Sequence, residues 1–274
     1  MLKQRVVTAL ILVLVLLAAI VWLPAHGFEA LVFLVFAIGA WEWSALSGVS
    51  NRLVRTVYVL GVVAAGLLLS RLGQTMIGAV LLIAVLWWLL ALLLVWQYPR
   101  PNALLNQPAC LLLAGMLVLV PGPLAVTELQ ILPGDRRFYI VWFIALVASA
   151  DIGAYFSGRA FGKTPLAPAV SPNKTWEGLC GGLVLTSVVA IAGMQMDQAA
   201  ALAGVNSIVV VVAAVLLAAL SVVGDLFESL MKRQRNLKDS SNLLPGHGGV
   251  MDRLDSITAA LPLYVLLLGC AVTP

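Results

Sequence analysis

A succession of long apolar runs constrains this chain more than any other feature: residues 6–23, 28–46, 53–70, 75–97, 108–127, 138–158, 176–196, 205–230 and 256–273. Most approach the ~20 residues a helix needs to cross about 30 Å of hydrocarbon, and a helix satisfies its own backbone hydrogen bonds there. Little of the 274-residue chain is left over, since 62% is apolar and 10% is charged. Soluble domains carry about 45–50% apolar and about 25% charged residues. The balance excludes a soluble globular enzyme, a disordered protein and a disulfide-stapled secreted scaffold. The expected fold is all-α, a polytopic integral membrane protein of about nine transmembrane helices. Lys3, Arg5 and the Ala25-His26-Gly27 stretch flank the first run as they would a signal peptide. That run exceeds the usual 7–15 apolar residues, so it reads as a span.

Charge sets the expected orientation. With the N-terminus cytoplasmic, that side collects Lys3, Arg5, Arg52, Arg55, Arg100, Arg159, Lys163, Lys174, Lys232, Arg233, Arg235, Lys238 and Arg253, whereas Arg71, Arg136 and Arg137 fall outside. The asymmetry follows the positive-inside rule. The net charge of +4 is spread over short connections. It suits anionic membrane lipid as the partner and argues against nucleic acid. Cys110, Cys180 and Cys270 sit in apolar segments and read as small core residues, without disulfide or zinc spacing.

Polarity divides the chain into residues 1–105, nearly pure spans with short links, and residues 106–274. The second part carries two polar connections, about 159–177 and 232–255, both on the expected cytoplasmic side. Between 225 and 255 stand Asp225, Glu228, Asp239, Asp252 and Asp255 against Lys232, Arg233, Arg235, Lys238 and Arg253. Such a mixture suits a metal–phosphate site, where carboxylates hold the cation and bases hold phosphate oxygens.

Spacing sharpens this expectation. Ser221, Asp225, Glu228, Ser229 and Lys232 form one polar stripe on a helix, and charges at membrane depth usually face a bundle interior or a watery cavity. A buried Glu228–Lys232 ion pair at i, i+4 is the plain alternative, with Asp225 a structural polar residue. Pro245-Gly246-His247-Gly248-Gly249 predicts a tight turn whose amides face an anion, with a helix starting just after it. Asp252 and Asp255, at i, i+3, share a face of that helix's first turn, where dipole compensation is the simpler role for either alone. His247 is either a hydrogen-bonding loop residue or a site residue. In the earlier connection, Asp151, Tyr155 and Arg159 share one helix face. Ser171, Asn173, Lys174 and Thr175 form a turn suited to a phosphate or a base edge, or an ordinary loop and cap.

The stretch Ser229–Asp255 resembles, over all 27 positions, the signature of the phosphatidate cytidylyltransferase (CDP-diacylglycerol synthase) family, with no departure at its restricted positions. Asp151–Lys163 and Ser171–Gly178 resemble the same family; in residues 1–105 the likeness is only of hydropathy. The resemblance implies transfer of CMP from CTP to phosphatidic acid, giving CDP-diacylglycerol and pyrophosphate, at the cytoplasmic face of a bacterial inner membrane. It implies Mg2+, with K+ as the candidate second cation of a paired centre, and a homodimer. Carried over, the catalytic set is Asp225, Lys232, Lys238, Asp252 and Asp255, with Asp225, Asp252 and Asp255 as metal ligands. The substrate-binding set is Asp151, Ser171, Asn173, Lys174, Thr175, Ser229, Arg233, Asp239, His247, Gly248, Gly249 and Arg253. The rival readings are a CTP-dependent polyprenol kinase and an ion-coupled transporter with Asp151 and Asp225 on the ion path.

Overall fold

The computed structural model describes residues 2–100, 105, 107–202 and 204–272. The expected domain boundary at 105/106 touches residues outside this set, as do the side chains of Lys3 and Arg5. Among the described residues there are ten α-helices: α1 Leu2–Trp22, α2 Ala25–Leu46, α3 Arg52–Leu69, α4 Gln74–Gln97, α5 Pro108–Leu119, α6 Pro121–Ile131, α7 Arg136–Phe161, α8 Trp176–Met194, α9 Ser207–Gln234 and α10 Met251–Val272. Helices α5 and α6 are the single expected span 108–127, extended to Ile131 and broken at Pro121-Gly122-Pro123, where proline removes helix hydrogen bonds. Eight segments, with α5 and α6 joined, are long and apolar enough to cross a membrane, and the apolar part of α1, Val6–Trp22, is somewhat shorter. The all-α polytopic expectation therefore stands.

Two details differ. The connection after α7 contains a small antiparallel hairpin, β1 Pro165–Ala167 with β2 Ser171–Thr175, where sequence suggested only a turn. Its strands are too short to carry a periodic signal. Of the three free cysteines, Cys180 and Cys270 are exposed on helices and only Cys110 is partly covered. Among lipid-facing helices an apolar residue need not be a core residue, because hydrocarbon is as good a surrounding as protein.

Helices α2, α4, α9 and α10 meet around aromatic rings below the polar end. Phe227 is fully buried, with Trp43, Trp87 and Trp88 at centroid distances of 6.3, 5.8 and 6.0 Å. Such ring pairs are each worth about 0.5–1.5 kcal/mol beyond area burial. The Trp43 and Trp88 indoles donate to the carbonyls of Leu111 (2.8 Å) and Thr258 (3.1 Å), tying α2 to α5 and α4 to α10. Gly224 brings α9 against α10 so closely that a Cβ there would collide with the carbonyl of Asp255. This packing fixes α9 on both sides of Phe227 and so sets where Asp225 and Glu228 stand.

Candidate active site

Five helix ends converge at the polar end of the bundle: the last turns of α2, α7 and α9 and the first turns of α8 and α10. Contacts between distant residues define the convergence. Arg233 Nε donates to Val170 O (3.3 Å), Arg235 binds the carbonyls of Leu46 and Ser47 (3.1 and 2.8 Å), and Thr8 Oγ1 donates to Pro245 O (2.9 Å). Both long polar connections thus lie together, as expected.

Two groups of side chains occupy this end. In the first, Lys174 Nζ on β2 pairs with Asp225 Oδ2 on α9 at 2.6 Å, and Ser229 Oγ donates to Asp225 Oδ1 at 3.2 Å. Asp151, Asn173, Lys174, Thr175 and Asp225 line a cavity of about 210 Å3. Thr175 also caps α8, its hydroxyl accepting from the Gly178 amide at 3.1 Å, so the cap reading applies to this residue. A larger apolar cavity of about 590 Å3 shares Leu166, Leu179 and Val222 with the polar one and continues past Trp96, Val223 and Leu226.

In the second group, Lys232 Nζ lies 3.2 Å from Glu228 Oε2 and 2.5 Å from Asp252 Oδ1. The i, i+4 pair expected as the plain alternative is present and extended by Asp252. The other oxygen of Asp252 accepts from the amides of Ser240 (2.9 Å) and Gly249 (2.7 Å), with the Ser240 hydroxyl at 2.8 Å. Both oxygens of Asp252 are therefore held by the protein. The amide of Gly249, expected to face a substrate anion, faces this carboxylate. Gly248 has φ +78°, in the region that glycine tolerates without strain, and its carbonyl accepts from Leu244 N at 2.8 Å.

The remaining expected residues are placed more loosely. Asp255 accepts from the Ser256 amide at 2.7 Å and lies within electrostatic reach of Asp225, Glu228 and Lys232. Arg253 is exposed and donates to His247 O at 3.2 Å. The His247 Nδ1 atom is buried without a hydrogen-bond partner among the described residues. Lys238 and Asp239 are exposed on the loop after α9, and Ser171 opens β2, half-buried.

Glu42 on α2 escaped the sequence reading. It is 3% exposed. Its carboxylate accepts from Ser241 Oγ (2.5 Å), Met251 N (2.7 Å), Ser240 Oγ (3.1 Å) and Val250 N (3.1 Å). The available signal was an acid deep inside the apolar run 28–46, between Trp41 and Trp43, with the run's other acid, Glu29, at its start. An ionisable residue inside a span is a site candidate on that ground alone.

The donor set has a direct bearing on cations. Glu228 Oε1 is buried and faces no donor among the described residues other than the carboxyl of Asp255, which lies close enough to interact with it side chain to side chain. Carboxylates held together away from water repel, and a cation relieves that repulsion. Among the described residues no three carboxylate, histidine or cysteine side chains form a cage by themselves. Mg2+ needs no such cage, since it commonly takes one or two carboxylates and completes its shell with water and substrate phosphate. Asp225, which is 31% exposed and shares a cavity wall with its partner Lys174, and Asp255, beside Glu228, fit that pattern better than Asp252, which is 6% exposed and tied to Lys232, Ser240 and Gly249.

A sequence profile of the cytidylyltransferase family matches residues 3–271. The chain belongs to the cytidylyltransferase family. A phosphatidate cytidylyltransferase of Pseudomonas aeruginosa is 42% identical over 271 residues, 99% of this chain and 98% of that protein. One of Haemophilus influenzae is 38% identical over 96% of this chain and 97% of its own length. One of Brucella suis is 38% identical over 97% and 92%. A family of cytidylyltransferases accounts for a charged end on an otherwise apolar bundle, because a nucleotide comes from water.

Proposed function

We propose that the chain transfers the cytidylyl group of CTP to phosphatidate, with the polar end of the bundle in the cytoplasm of a bacterial cell and the helices in its inner membrane. One observation carries the reading: the polar cavity lined by Lys174, Asp225 and Asp151 adjoins an apolar one, the two sharing Leu166, Leu179 and Val222 in their walls. A substrate with an anionic head and acyl tails needs such a junction. The full-length likeness to phosphatidate cytidylyltransferases and the expected excess of Lys and Arg on this side support the same assignment.

An oxygen of the phosphatidate phosphate attacks the α-phosphorus of CTP, the bond from that phosphorus to the bridging oxygen breaks, and pyrophosphate leaves with the electron pair. The attacking oxygen is already anionic at neutral pH, so the protein's task is positioning and charge neutralisation. Asp225 and Asp255 would hold Mg2+, which supplies charge neutralisation at the nucleotide phosphates. Lys174 meets anionic oxygens at the cavity wall. Lys232, kept by Glu228 and Asp252, sets a fixed positive charge behind them, and Arg233 and Lys238 add to the field over the entrance.

The purified full chain, incubated with labelled CTP, phosphatidic acid and Mg2+, tests the reading. Equal amounts of CDP-diacylglycerol and pyrophosphate are expected. CDP with a newly phosphorylated lipid would overturn it in favour of kinase chemistry, and no nucleotide turnover would overturn it outright.

A further inference from the structure

We infer that Glu42 is a positioning residue for this reaction: from the N-terminal part of the chain it holds segment 240–251 so that Asp252 keeps Lys232 in place. The inference rests on the cytidylyltransferase reading above.

A charged carboxylate on a membrane span is costly to bury. Glu42 offsets that cost with three donors of its own and a fourth, the Ser240 hydroxyl, shared with Asp252, and all four come from one segment about 200 residues further along the chain. Two of them, the amides of Val250 and Met251, lie at the start of α10, where unpaired amides carry partial positive charge. Asp252 takes the preceding amide, that of Gly249. The opening of α10 is therefore satisfied by two carboxylates, one its own and one borrowed from α2.

Ser240 joins the two. Its hydroxyl lies 3.1 Å from Glu42 Oε2 and 2.8 Å from Asp252 Oδ2, and its amide donates to Asp252. From Asp252 the connection runs to Lys232 and on to Glu228. A second grip lies one turn along α2, where Arg235 binds the carbonyls of Leu46 and Ser47. The end of α2 thus holds the polar segment at both of its margins. Gly249 is required for the approach, because a Cβ there would collide with Ser240 Oγ and stand 2.5 and 2.7 Å from the Glu42 oxygens.

Glu42→Gln tests the inference, since it keeps the shape and one acceptor but replaces the other oxygen by an amide nitrogen that cannot accept from a backbone N–H. The full chain in lipid-containing micelles is followed by hydrogen exchange over 240–251 and by steady-state kinetics. Exchange in that segment is expected to rise about tenfold, and kcat to fall at least about tenfold with KM for CTP changed less than about threefold. The unfolding midpoint stays within a few degrees, and Glu42→Asp, which restores the charge, recovers part of both losses. Unchanged exchange and kcat would overturn the inference. So would a fall in kcat matched by loss of folded protein with no local rise in exchange.

If Glu42→Gln does not fold, Ser241→Ala removes a single donor and is expected to raise local exchange about threefold; no change there also overturns the inference. The exchange measurement needs no substrate. A wild-type chain that makes no CDP-diacylglycerol defeats the functional reading alone, whereas an active chain indifferent to Glu42→Gln defeats only this inference.

Discussion

Two lysine–aspartate pairs stand at the polar end of the bundle, and they are built differently. Lys174 and Asp225 are 24% and 31% exposed and line a cavity. Lys232 and Asp252 are 11% and 6% exposed, and the remaining oxygen of Asp252 is taken by backbone amides and a hydroxyl. A pair with free surface can exchange its partner for a substrate phosphate or a cation at modest cost. A buried pair held on several sides cannot, and removal of Asp252 leaves Lys232 to Glu228 alone and orphans the Ser240 and Gly249 donors, at a cost of about 1–3 kcal/mol for each buried donor. The same two residue types therefore serve as contact surface in one place and as framework in the other.

The comparison is most exposed to failure at Asp225. Asp225→Asn is expected to lower CDP-diacylglycerol formation by about 10²–10³-fold, the usual effect of deleting a group that meets developing charge, with the unfolding midpoint almost unmoved. Asp252→Asn comes next, with turnover down by about tenfold in the folded protein and stability down by about 3 kcal/mol, read as a lower unfolding midpoint in the same micelles. If the midpoint falls for Asp225→Asn and holds for Asp252→Asn, the two roles are reversed. The smallest change is expected for Ser229→Ala, which removes only the 3.2 Å bond to Asp225: about threefold in turnover and nothing in the midpoint. A larger effect than that of Asp252→Asn would show that Asp225 is held chiefly by this hydroxyl.

Much of this site was legible in the sequence because its chemistry is local in the chain. Asp225, Glu228, Ser229 and Lys232 lie on one helix at spacings that force a common face, and the glycine turn before Asp252 announces itself by composition. The polar stripe became the end of α9, and the helix expected after the glycines begins at Met251. Spacing could not tell which carboxylates would be free. Asp252 and Asp255 are three residues apart on the same helix, yet one is closed off by Ser240 and Gly249 and the other faces Asp225 and Glu228. That depends on where a loop folds back, and the loop is held by Glu42. No spacing rule connects residue 42 to residue 251. The division of the chain at residue 105 into plain spans and a chemical part hid the same point, since α2 belongs to both.

The reach of Glu42 also bears on how the protein is made. Chains emerge from the ribosome N-terminus first, so α2 is in place long before its partners exist. Until α10 has followed it into the bilayer, the Glu42 carboxylate lacks the Val250 and Met251 amides, and Asp252 is not there to steady Lys232. Chemistry on the nucleotide is thereby coupled to completion of the last helix, and a chain halted after α9 would sit in the membrane with most of its charged residues present and no organised site.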